Sequence, residues 1–129
     1  MRPEGGPQLK HTTEKLDEDT VIVRVTGEVD AYNEAEFRAA FGEIGPGGVR
    51  FIVADLTGVP FIDSKGLGVL NGVRRRAEEA SGKLVVICEA GHVRRTFEQA
   101  GFPQIIPLHE TEDAALEDVR QAKGGGGDG

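Results

Sequence analysis

No tryptophan, one tyrosine and a single cysteine stand among the 129 residues, and each scarcity removes a class of protein from consideration. One cysteine cannot close an internal disulfide, and Cys88 ends the apolar run LVVIC at 84–88, where a small buried hydrophobe is the expected role. Cysteine and histidine nowhere cluster at ligand spacing, with His11, His92 and His109 scattered along the chain, so no metal site is expected. No apolar stretch approaches the roughly 20 residues of a membrane span, and the opening MRPEGGPQLK has no apolar signal core. Basic residues are outnumbered 15 to 22, giving a net charge of −7, which opposes attraction to nucleic-acid phosphates and to anionic lipid. A protein partner or small molecule, met in a reducing cytoplasm, is the expectation.

What is present is enough for one core. With 38% hydrophobic and 29% charged residues the chain is globular, and its length suits one domain and not two. Many of the 19 glycines fall in terminal stretches, 1–8 and 123–129, expected to be solvated tails around a domain at 9–122. Between them, a β-branched strand is predicted at 21–26, interrupted by Arg24, with a weak companion at 9–13 across the turn at 17–19. Asn33 and Glu36 form an approximate capping box before Phe37, Ala40, Phe41 and Ile44, one buried helical face. The apolar run FIVA in a strand at 49–56 suits burial on both faces, as does a second strand at 83–88. Helices are predicted at 64–80, 92–100 and 112–121, with a short strand at 104–108. The order implies a mixed, mostly parallel α/β sheet of four to five strands, an N-terminal β-hairpin and about four helices packed against it.

Residues 61–68, FIDSKGLG, sit where the strand at 49–56 gives way to a helix, the position at which open α/β sheets build their sites. Asp63 and Ser64 are both good caps, and the sequence leaves open which one serves. At about 3.6 residues per turn, Gly66, Leu67, Leu70, Val73 and Ala77 share the core side. Ser64, Gly68, Asn71, Gly72, Arg75 and Glu79 share the other. A glycine in an exposed helix interior costs roughly 1 kcal/mol relative to alanine. Gly68 and Gly72 are either tolerated defects, glycines packed beneath a loop, or a smooth track that lets another protein's backbone approach, with Asn71 and Arg75 as polar contacts.

An enzymatic reading fares worse. Adjacent helix residues do not face one another, so Lys65 is badly placed to activate Ser64. His92 near a helix start reads as a surface or capping residue, no Gly-x-Ser-x-Gly elbow is present, and GPGG at 45–48 precedes a strand and lacks the basic ending of a phosphate loop. No catalytic residue and no cofactor are expected. The arginines at 74–76 and 94–95 have acidic neighbours and read as solvated faces, one of which is able to meet an acidic patch on a partner.

The run DLTGVPFIDSKGLG at 55–68 resembles the signature of the STAS domain, particularly the bacterial anti-sigma factor antagonists. GEVD at 27–30 and HVRRTFEQAGF at 92–102 are also similar to that family. The resemblance implies a protein that, unphosphorylated, binds an anti-sigma factor which is also a serine kinase of histidine-kinase-like ATPase fold, and so frees a sigma factor. Carried onto this chain, it makes Ser64 the phosphoacceptor, with Asp63 before it, Gly66, Leu67 and Gly68 shaping the helix start, and Asp30, Lys65, Asn71, Gly72 and Arg75 on the partner-binding face. A serine phosphatase would restore the active form, the nucleotide belongs to the kinase, and a homodimer is left open. Lys65 stands where many members carry a second hydroxyl, which leaves one acceptor. The rival implication is a non-switching scaffold or a module holding a small anion at the same helix terminus.

Overall fold

The computed structural model describes residues 9–42 and 48–124. Ile44, the expected N-terminal tail and all but the first two residues of the expected C-terminal tail lie outside them.

A hairpin opens the fold, with β1 (Lys10–Asp17) antiparallel to β2 (Thr20–Thr26). β1 is longer than the companion strand expected at 9–13, and every one of its residues is exposed. It is held by its ladder to β2 instead of by burial, so it carries no apolar alternation for a sequence pattern to reveal. Its charged side chains also guard the open sheet edge against further pairing.

The remaining strands, β3 (Phe51–Gly58), β4 (Lys83–Ile87) and β5 (Leu108–His109), add in parallel to give the order β1-β2-β3-β4-β5. Four helices connect and cover them: α1 (Glu34–Ala40), α2 (Ser64–Glu79), α3 (His92–Gln99) and α4 (Glu112–Gly124). Phe37 and Phe41, Leu67, Leu70 and Val73, and Phe97 bring the first three helices onto one sheet face, against Val23, Ala54 and Val86. α4 covers the opposite face, where Ala115 and Val119 meet Ile22, Val53, Val85 and Ile87. Successive residues of β3 and β4 therefore point into two cores, which is why their apolar runs are unbroken. Arg24, the polar interruption of β2, bonds Glu14 at 2.9 Å, Asp55 at 3.3 Å and Glu112 at 2.7 Å, tying β1, β3 and α4 together.

Three local expectations need correction. Asn33 is the N-cap residue of α1 but makes no capping hydrogen bond. Its side chain is buried, accepts from the Asp30 amide at 2.9 Å and donates to the Glu28 carbonyl, so it fastens the preceding loop instead. The strand expected at 104–108 is a single 3-10 turn, Phe102–Gln104, followed by the two-residue β5. Pro103 and Pro107 lack the amides a ladder needs, although the Pro107 carbonyl still accepts from Val86 at 3.0 Å. Finally, α4 runs past its expected end at Gln121 to Gly124, because the Lys123 ammonium reaches Asp17 at 2.8 Å and Asp19 at 2.7 Å in the hairpin turn.

Candidate functional site at the start of α2

Two loops at the carboxyl edge of the sheet are stitched together to form the site. Past the ends of β2 and β3, Val29 and Ile62 form an isolated parallel bridge, the Val29 amide donating to Phe61 O at 2.9 Å and the Asp63 amide to Val29 O at 3.1 Å. The pairing sets Asp30 and Asp63, each next in the chain, side by side along two neighbouring loops. The Asp30 carboxylate turns back on its own loop and accepts from the Tyr32 amide at 2.9 Å and the Asn33 amide at 3.3 Å. Asp30 is half-buried, a loop-shaping residue at the rim of the site.

The sequence left two caps open, and the backbone decides between them. Asp63 is extended and its carboxylate accepts from the amides of Lys65 at 3.0 Å and Gly66 at 3.2 Å. Ser64 is therefore the first helical residue, exposed, and its hydroxyl has no hydrogen-bond partner among the described residues. Lys65 is likewise exposed.

The two faces of α2 divide as the wheel predicts. Gly66, Leu67, Leu70, Val73 and Ala77 are buried, joined by Val69. Gly66 belongs inside and not on a partner face: a Cβ there would lie 2.6 Å from Ile62 Cγ1 and 2.7 Å from Val29 Cγ1. It shapes the helix start from beneath by letting α2 sit down on the bridge. At Gly68 and Gly72, by contrast, a Cβ would meet nothing within 4 Å among the described residues, so none of those packs over the two glycines. Asn71 is half-buried, and its carbonyl oxygen accepts from Arg74 Nε at 3.1 Å and Nη2 at 2.9 Å. Arg75 is exposed beside the two glycines, which line a groove of about 560 Å³ between α1 and α2.

Two aromatic residues at this edge escaped the sequence reading. Phe61 is 37% exposed and stacks on the His92 ring at 5.5 Å, with the planes 14° apart; Tyr32, in the Asp30 loop, is 68% exposed. Aromatics flanking a turn follow no periodicity, and their only signal is proximity to the motif. They add apolar area of the kind that anchors protein interfaces. Cys88, in contrast, is buried as expected, and desolvation pushes its thiol up to about 11, so it offers no thiolate.

Comparison with known proteins agrees with this geometry. The family model described as the STAS domain matches residues 11–115. An anti-sigma F factor antagonist of Lysinibacillus sphaericus is 30% identical over 108 residues, covering 83% of this chain and 92% of the relative. An anti-sigma factor antagonist from Mycobacterium paratuberculosis superposes with a TM-score of 0.80 at 27% identity, covering 88% of this chain and 95% of the other. The anti-sigma factor antagonist SpoIIAA in its unphosphorylated form gives 0.70 at 27% identity, covering 86% and 96%. The chain thus belongs to the STAS domain family, and in sequence and fold alike it is similar to members named anti-sigma factor antagonists.

Proposed function

We propose that this chain is an anti-sigma factor antagonist that captures an anti-sigma factor through α2 and is released from it by phosphorylation of Ser64. The observation that carries the reading is the exposed Ser64 hydroxyl, without a partner among the described residues, at the head of a helix whose outer face carries Gly68 and Gly72. Binding sequesters the anti-sigma factor and frees a sigma factor. The same partner, a serine kinase of histidine-kinase-like ATPase fold, transfers the γ-phosphoryl group of ATP to Ser64 Oγ; the hydroxyl proton leaves with a base of the kinase and ADP departs. A serine phosphatase hydrolyses the ester and restores the binding form. The chain's part is binding and not catalysis, it works in the cytoplasm, and residues 9–122 act as one STAS domain between two solvated tails. Among the described residues no helix is long and apolar enough to cross a membrane.

The electrostatics favour ejection. A phosphate on Ser64 adds about −1.5 to −2 charges. Asp63 already holds the amides of Lys65 and Gly66, which takes two of the helix-terminal donors away from the phosphate. Like charges pressed together across an interface cost several kcal/mol, and about 1.4 kcal/mol is tenfold in affinity. The two occupied amides also leave the rival small-anion module fewer donors at this terminus. Incubation with candidate histidine-kinase-like ATPases and ATP, followed by mass-spectrometric mapping, should place one phosphate on Ser64. Modification at another residue, with Ser64 untouched, overturns the assignment.

A further inference from the structure

We infer that the groove between α1 and α2 receives an acidic segment of the partner protein, docked against Arg75 and Arg38 while its backbone lies over Gly68 and Gly72. The inference rests on the reading of α2 as a partner face and adds the chemistry of what lies along it.

The groove departs from the rest of the molecule in charge. The chain carries −7, yet among the described residues Arg38, Arg75 and Arg76 line the groove with Glu79 as the carboxylate. The three consecutive arginines of α2 have different fates. Arg74 is spent internally on Asn71 and on Glu78 at 3.0 Å, and Arg76 donates to the Phe41 carbonyl at 3.2 Å, bracing α2 against the end of α1. Arg75 has no ion pair or hydrogen bond among the described residues and is exposed. Arg38, 60% exposed, leans on Glu34 one turn earlier in α1, a pair that water screens and a better acceptor displaces. A groove that is basic within an acidic chain, continuous along α2 with Ser64, and floored by glycine selects a partner segment rich in Asp or Glu. Guanidinium groups hold carboxylates through paired N–H donors, and the bare glycines allow the approaching backbone close enough for those bonds to form.

The test needs no kinase. A uniformly ¹⁵N-labelled chain is titrated with a decaglutamate peptide and, separately, with decaglutamine, following amide shifts. The glutamate peptide should move the amides of Gly68, Gly72 and Arg75 saturably, with affinity weakening several-fold as salt is raised from 50 to 200 mM, an amount set by screening on the order of a Debye length. Decaglutamine should leave them in place. Arg75→Glu, alone and with Arg38→Glu, should weaken the titration by about tenfold or more, since each reversed charge adds repulsion worth on the order of 1.4 kcal/mol. The variants' own spectra show whether the fold persists. Equal shifts with decaglutamine, or glutamate shifts centred away from the groove, or indifference to both reversals, overturn the inference. Any of these leaves the Ser64 switch standing, because that switch is read by phosphate mapping and partner release.

Discussion

Gly66 and Gly68 lie on one helix and answer to opposite demands. At Gly66 the fold itself forbids a side chain, since Ile62 and Val29 fill the space a Cβ would take. At Gly68, and again at Gly72, the fold forbids nothing. The inner glycine is explained by the chain; the outer pair costs helix stability with no return among the described residues. The proposed function gives them a reason in a partner that docks, and the Ser64 hydroxyl and Arg75 share that surface.

The sharpest way to break the comparison is to put a side chain on each side. Gly66→Val should destabilise the fold by about 3 kcal/mol, the upper part of the usual overpacking range, because the clash is with packed side chains at a bridge. Chemical denaturation measures it, and a neutral outcome would dissolve the contrast. Gly68→Ala with Gly72→Ala should do the reverse and stabilise by up to about 2 kcal/mol in total, as two exposed helix positions gain alanine. The same double variant should bind the anti-sigma factor more weakly, so stability and affinity move in opposite directions. If both rise together, the glycines are not a contact surface.

The two residues at the helix head separate in the same manner. Asp63→Ala removes the cap from Lys65 and Gly66 and should cost about 1 kcal/mol. Ser64→Ala removes a hydroxyl without a partner and should stay within about 0.5 kcal/mol of the parent. A larger loss at Ser64 than at Asp63 would reverse the roles given to them.

The smallest effect belongs to the opposite end of the sheet. A hydrogen bond from Lys123 holds the carboxyls of both Asp17 and Asp19 below the ordinary range, and the two carboxylates in turn raise the ammonium. Depressed carboxyls bind fewer protons folded than unfolded, so their contribution is complete above the usual carboxylate pKa near 4 and is lost as pH falls below it. Lys123→Ala should therefore lower stability slightly at neutral pH and flatten the acid limb of a stability-against-pH curve, so that variant and parent converge in acid, with Ser64 phosphorylation intact. An unchanged acid limb would show that the clamp is without thermodynamic weight.

How much of this was legible beforehand follows from burial. β3, β4 and the inner stripe of α2 declare themselves because their side chains enter the core and impose a period. β1, wholly exposed, imposes none, and its length had to come from the register of its ladder with β2. Asn33 sits at the position of a cap, but its amide is claimed by the Asp30 loop, a tertiary contact no local pattern encodes. The site divides likewise. Composition, the helical wheel and the DSKGLG run point to α2 and to the inward side of Gly66, whereas the choice of Asp63 over Ser64 as cap and the Phe61–His92 stack depend on backbone placement.

The most direct test of the central claim is titration calorimetry of the anti-sigma factor partner, without ATP, against three forms of this chain: unmodified, phosphorylated at Ser64, and Ser64→Ala. The unmodified and alanine forms should bind with similar affinity, and the phosphorylated form should fall by at least about a hundredfold, the equivalent of roughly 2.7 kcal/mol. Equal affinity for the phosphorylated and unmodified forms would contradict the account.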